Sequence, residues 1–163
     1  MHQAKNKKYY MLIGLPASGK STWALENSDN DTIAVSTDEF VEEYAQAKGI
    51  FYQDAYKELD FKEIESKFKD KLIQKFNDEK NVILDQMNLS KKSRKKKLSV
   101  VPSNYEKIAV IFDIPDNLRY HREKIRYEST GKLIPQYVVN RLSASMNLDV
   151  SDEGFDRIII IRS

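Results

Sequence analysis

Gly14-Leu15-Pro16-Ala17-Ser18-Gly19-Lys20-Ser21 follows directly on the apolar run Tyr9-Tyr10-Met11-Leu12-Ile13 and leads into the helix-forming stretch Thr22-Trp23-Ala24-Leu25-Glu26. Two glycines with four residues between them let the backbone curl with its N–H groups pointing inward, which makes an anion nest. Lys20 adds a point charge suited to β- and γ-phosphates, and the Ser21 hydroxyl suits Mg²⁺. The helix that starts there aims its positive dipole end at the same anion. Apolar strand, Gly-rich loop and helix in this order, with Lys-Ser at this offset, make the segment a P-loop. It predicts that Gly14, Pro16, Ala17, Ser18, Gly19, Lys20, Ser21 and Thr22 hold ATP or another nucleoside triphosphate with Mg²⁺. The loop alone leaves the acceptor open, because kinases, switch proteins and inert nucleotide binders share it.

Outward from the loop, five apolar runs read as buried parallel strands: Tyr9 to Ile13, Thr32 to Ser36, Val82 to Asp85, Lys107 to Phe112 and Arg157 to Ile161. Helical patterns fill the gaps. Asp38 to Lys48 reads as one helix and Lys57 to Asp78 as a longer one, with Gly49 between them. A third follows the N-cap residue Ser90, a fourth runs from Pro115-Asp116 to about Tyr127, and Pro135 opens a fifth that reaches about Met146. Strands alternating with helices predict a three-layer α/β fold of the P-loop NTPase/kinase type. Its mainly parallel five-stranded sheet would bind ligands at the carboxyl ends of the strands, under a helical lid. The 163 residues read as one domain, 1–163, whose polar Lys-rich residues 1–8 form a flexible end in which His2 has no special role.

Composition narrows the class. The chain is 40% hydrophobic and 32% charged, and none of its apolar runs approaches the length of a membrane-spanning helix. It has no cysteine, so a disulfide framework and a cysteine zinc site are excluded, and with no leader pattern a cytoplasmic protein is expected. The net charge of +2 hides an uneven distribution, which matters more than the sum when the partner is a polyanion.

Asp38 comes just after the second strand, at the sheet edge that carries the phosphate loop, where an acceptor hydroxyl would sit. A phosphoryl-transfer enzyme needs one carboxylate there to orient the hydroxyl and take its proton. Capping its own helix is the other role open to Asp38. Asp85 ends an apolar strand, in Asn81-Val82-Ile83-Leu84-Asp85-Gln86-Met87-Asn88, as a second Mg²⁺ residue beside Ser21 would; a turn is its alternative, and Asn88 is placed to meet the acceptor. Arg119, Arg122 and Arg126 stack on one face of the fourth helix, and such like charges repel unless an anion joins them. Arg122 and Arg126 thus read as clamps on a transferring phosphoryl group, or as a solvated face paired with Glu123 and Glu128. The polar stretch Glu128 to Lys132 suits a lid, and His121 reads as a surface or packing residue. Lys91-Lys92-Ser93-Arg94-Lys95-Lys96-Lys97 carries six positive charges in seven positions, read either as a solvated helix face or as a nucleic-acid contact. Tyr44, Phe51, Tyr52 and Tyr56 cluster near the acceptor side, as base-stacking or core residues.

Taken together, the segments Gly14 to Ala24, Ser36-Thr37-Asp38-Glu39-Phe40 and Ile83 to Leu89, with Arg122, Arg126 and Ile134-Pro135, resemble the polynucleotide 5′-kinase family of phages almost end to end. The resemblance is to the kinase module alone, and the same segments resemble the nucleotide-binding domain of heterogeneous nuclear ribonucleoprotein U. It implies an ATP-dependent kinase of a nucleic-acid 5′-hydroxyl, with Lys20 and Ser21 on phosphate and Mg²⁺, Asp38 as general base, and Arg122 and Arg126 as lid arginines. Two positions depart from the family on the acceptor side. Val41 stands where an arginine grips the acceptor's 3′-phosphate, among Glu39, Glu42 and Glu43, which read as exposed; Met87 stands where a threonine precedes the asparagine. Val41, Met87 and Asn88 are therefore the candidate acceptor residues. The altered rim keeps two further readings open: a kinase of a nucleoside, sugar nucleotide or modified-base hydroxyl, and a non-catalytic module binding nucleotide and nucleic acid.

Overall fold

The computed structural model describes residues 6–131 and 134–162. Its centre is β1 (Lys7–Ile13), whose alternate side chains feed two cores: Tyr9, Met11 and Ile13 on one face of the sheet, Tyr10 and Leu12 on the other. β2 (Thr32–Val35), β3 (Asn81–Leu84), β4 (Tyr105–Phe112) and β5 (Arg157–Ile161) complete a five-stranded sheet of order β2-β3-β1-β4-β5. Every pairing is parallel, from Tyr9 opposite Val82 and Lys107 to Phe112 opposite Ile161. Parallel strands require crossovers, and the helices supply them on both faces.

On one face α4 (Phe61–Asn77) and α5 (Lys91–Leu98) bury Phe68, Leu72, Phe76 and Leu98. On the other, α1 (Lys20–Asn27) and α6 (Asp116–Thr130) pack Trp23, Ala24 and Leu118 against Leu12, Ile83 and Val110. α2 (Asp38–Lys48) and α3 (Tyr52–Glu58) form a smaller cluster with the start of α4, centred on Val41, Ala45, Ala55 and Ile64. α7 (Gln136–Ser145) opens on Pro135.

Several sequence expectations shift. The helix expected over Lys57 to Asp78 is two: Leu59 turns extended and Asp60 caps α4, accepting from the Lys62 backbone N–H at 3.0 Å. Lys7 and Lys8 are not a loose end; they pair in β1 with Tyr105 and Glu106, while residues 1–5, with His2, lie outside the described residues. The fourth expected helix continues to Thr130 and stops at Gly131, whose φ of +71° suits glycine; Lys132 of the expected lid stretch lies outside the described residues. β5 is an edge strand rather than a buried one, with Ile158 and Ile160 43% and 50% exposed. No helix among the described residues is long and apolar enough to cross a membrane.

Candidate active site

β1, β2 and β3 all end at one edge of the sheet, and each delivers a part of the site. The loop after β1 is held by local geometry: Ala17 has φ +61° and Gly19 φ +99°, and a Cβ on Gly14 would lie 2.8 Å from Ser18 Oγ and 3.0 Å from Phe112 Cβ. The Gly14 N–H donates to the Met87 carbonyl at 3.0 Å, tying the loop to the segment after β3. Lys20 is 9% exposed and its Nζ donates to the Leu15 carbonyl at 2.7 Å. Burial lowers its pKa to about 8, opposed by the nearby carboxylates of Asp85 and Asp38 and reinforced by Arg126 and Arg119.

Ser21 Oγ donates to Asp85 Oδ2 at 3.0 Å, placing hydroxyl and carboxylate side by side. Burial raises the pKa of Asp85, against the lowering effect of the Ser21 hydrogen bond and Lys20. Among the described residues no three His, Asp or Glu side chains converge as a metal cage. A hydroxyl and a carboxylate side by side are oxygen donors of the kind Mg²⁺ takes, and Mg²⁺ commonly draws its other ligands from phosphate and water.

α6 brings the arginines over the loop. A Cβ on Gly19 would sit 3.3 Å from Arg122 Nη1, so the guanidinium touches the nest from above. Arg122 Nη1, Arg126 Nε, and Nε and Nη1 of Arg119 are buried and have no hydrogen-bond partner. Glu123 Oε1 is also buried without a partner, so it does not satisfy Arg122 Nη1 or Arg126 Nε. Buried N–H groups left unmade are costly, and phosphate oxygens are the acceptors that the loop geometry supplies. Arg119 differs from the other two in being only 2% exposed and held by Asp116 Oδ1 at 2.7 Å. His121 is exposed.

A family model of an AAA domain, AAA_33, matches residues 10–148, which span the loop, both acidic strand ends and the arginine helix. The chain belongs to the AAA_33 family. This AAA_33 domain is 24% identical over 162 residues to heterogeneous nuclear ribonucleoprotein U-like protein 2 of Mus musculus, and equally to that of Homo sapiens over 160. Each alignment covers 91% of the chain but only 20% of the relative. Among solved structures, a chain of the Pnkp1/Rnl/Hen1 RNA repair complex superposes with TM-score 0.68 at 24% identity, over 96% of this chain and 48% of that one. A chain of the PezAT toxin–antitoxin system of Streptococcus pneumoniae gives 0.72 at 20%, over 98% and 69%. A gluconokinase from Sinorhizobium meliloti 1021 gives 0.58 at 13%, over 98% and 84%. These likenesses establish the shared P-loop kinase-like fold.

The region of the AAA_33 domain read from the sequence as the acceptor side is arranged differently from that reading. Asp38 is exposed at the start of α2, and the capping position belongs to Thr37, which makes no side-chain cap. The Tyr52 hydroxyl donates to Asp38 Oδ1 at 2.6 Å, a partner fourteen residues away on another helix that no local pattern signals. Burial and the Asp38 carboxylate raise the Tyr52 pKa, which keeps the phenol protonated and donating. Val41 is 2% exposed and faces the α2–α3–α4 core, not the site. Asn88 is 3% exposed and occupied: its Nδ2 donates to the Leu12 carbonyl at 2.7 Å and its Oδ1 accepts from Lys97 Nζ at 2.6 Å. Met87, partly buried, contributes the backbone carbonyl that holds Gly14. Glu39 pairs with Lys71 at 2.6 Å, and Glu42 and Glu43 are exposed.

The basic run is also divided. Arg94 is completely buried, bidentate to Glu153 at 2.7 and 2.8 Å and bonded to the Asn88 carbonyl at 3.0 Å. Lys97 is partly buried, which lowers its pKa to about 8. Lys91, Lys92, Lys95 and Lys96 remain as the exposed cations.

Proposed function

We propose that this chain is an ATP-dependent phosphotransferase that moves the γ-phosphate to a hydroxyl of nucleic acid, a 5′-hydroxyl end of DNA or RNA. The observation that carries this reading is the Arg122 guanidinium set against the phosphate loop, with unpartnered N–H groups on the same helix, while the Tyr52-held Asp38 carboxylate follows the neighbouring strand end. A pure nucleotide binder needs the nest but has no use for an exposed carboxylate oriented by a tyrosine.

In this reading Asp38 accepts the acceptor's hydroxyl proton while that oxygen bonds to Pγ, the bond from Pγ to the bridging β,γ-oxygen breaks, and ADP leaves. Lys20, Arg122 and Arg126 hold the charge that spreads over the transferring group. Bound Mg²⁺ would neutralise the phosphate oxygens, with Ser21 and Asp85 the residues suited to hold it. The fold likeness to a chain of an RNA repair complex agrees with a nucleic-acid acceptor. Glu42 and Glu43 on the acceptor rim favour a second reading, in which the hydroxyl belongs to a nucleoside, sugar nucleotide or modified base of low charge.

Labelled ATP offered with 5′-OH DNA, 5′-OH RNA, nucleosides and modified-base DNA separates the two. Transfer to oligonucleotide ends, abolished in Asp38→Ala while nucleotide binding persists, is the expected result. Transfer confined to the small or modified acceptors selects the second reading. An inert panel defeats both.

A further inference from the structure

A cleft of about 610 Å³ opens beside Asp38, lined by Phe51, Tyr52, Gln53 and Asp54 of the α3 region and by Tyr127, Glu128, Thr130 and Gly131 at the end of α6. Its size falls within the ~300–1,000 Å³ of small-molecule sites. Its two walls are joined by Gln53 Nε2, which donates to the Gly131 carbonyl at 3.0 Å. Phe51 is 82% exposed and Tyr127 50%, so two aromatic rings border it without belonging to a core.

The charge of the lining limits the occupant. Among the described residues that line it the charged groups are the carboxylates of Asp54 and Glu128, which favour an occupant that presents N–H donors. A planar ring with N–H donors suits both the aromatic faces and the carboxylates. Tyr52 lines the cleft and places its hydroxyl 2.6 Å from Asp38 Oδ1, so the cleft and the proposed base are one side chain apart. Tyr52 in turn stacks on Tyr56, with ring centroids 6.3 Å apart, and Tyr56 meets Phe61 edge-on at 4.9 Å, which braces the Tyr52 ring that lines the cleft.

We propose that the cleft between Phe51 and Tyr127 seats the nucleobase of the hydroxyl-bearing acceptor, stacking it so that its sugar hydroxyl is delivered to Asp38. This inference rests on the phosphotransferase reading for the identity of the acceptor, and it adds the part of that acceptor the protein grips. It also divides recognition of the acceptor between the α3 region and the end of α6.

The test measures binding and transfer separately. A 5′-OH trinucleotide and its counterpart lacking the terminal base are titrated calorimetrically, with a non-hydrolysable ATP analogue present, into wild type, Phe51→Ala and Tyr127→Ala. The expected result is about tenfold to hundredfold weaker binding of the intact trinucleotide by each variant. The baseless counterpart should bind wild type and variants alike, and retained nucleotide-induced thermal shifts show that the variants are folded. Variants that bind the intact trinucleotide as wild type does, or that lose both ligands equally, overturn the cleft assignment even where phosphotransfer is observed. Base-dependent discrimination without any transfer upholds the cleft as a base site and removes the kinase chemistry instead.

Discussion

At the scale of single residues, Gly19 and Tyr52 carry the sharpest consequences. Gly19 sits at φ +99°, and an added Cβ would meet Arg122 Nη1 at 3.3 Å. Gly19→Ala therefore strains the loop by about 1–2 kcal/mol and pushes on the arginine that covers it. Nucleotide titration should show affinity reduced tenfold or more. Tyr52→Phe removes one hydrogen bond to the Asp38 carboxylate, a kind worth about 1.5–3 kcal/mol. Steady-state kinetics should show kcat lowered by about tenfold to hundredfold with the KM for ATP unchanged, because Tyr52 holds the proposed base and does not touch the nest. Lys20, Ser21 and Asp38 were legible in the sequence because short-range spacing and the strand before them fix where they sit. Tyr52 was legible only as an aromatic near the acceptor, since its link to Asp38 depends on how α3 packs on α2. Val41 was misread for the same reason: one turn beyond Asp38, it falls on the stripe with Ala45 that seats on Ala55 and Ile64.

Among the elements, α5 shows how a run of like charge can be structural. Arg94 reaches the segment before β5 through Glu153 and the segment after β3 through the Asn88 carbonyl. Arg94→Met leaves the carboxylate of Glu153, whose side chain is 4% exposed, without its partner, and urea denaturation should report a loss of about 3–5 kcal/mol. The double variant Arg94→Met/Glu153→Leu should recover much of that loss. Lys97 adds a dependence on pH. Burial lowers its folded pKa to about 8 from 10.5, so between those values the unfolded chain binds more protons and stability rises with pH. The urea midpoint should increase from pH 8 toward 10, and Lys97→Met should lessen that rise, leaving the part that the buried Lys20 contributes over the same window. The existence and capping of α5 were legible from Ser90, which accepts from the Ser93 N–H at 3.2 Å. Which of its cations turn inward was not, since that depends on Glu153, fifty-nine residues from Arg94.

For the molecule as a whole, the parallel sheet was legible from five apolar runs alternating with helical patterns, but the order β2-β3-β1-β4-β5 was not. An apolar run reads alike at the centre of a sheet and at its edge, which is why β5 was expected to be buried. In the proposed reading the unpartnered N–H groups of α6 take the nucleotide's phosphates, which links nucleotide binding to global stability. At a ligand concentration of 100 times Kd, linkage adds about 2.7 kcal/mol, a rise in Tm of about 5–10 °C for a chain of this size. Differential scanning calorimetry should find that rise in wild type and a much smaller one in Arg122→Ala/Arg126→Ala. The withdrawal of Arg94 and Lys97 into the interior also bounds how this protein responds to ions in solution. Only Lys91, Lys92, Lys95 and Lys96 of that helix remain to displace condensed counterions from a polyanion. Its contribution to the slope of log K against log salt is then limited to about −3 for a single strand and −4 for a duplex, well short of what six charges in seven positions would give.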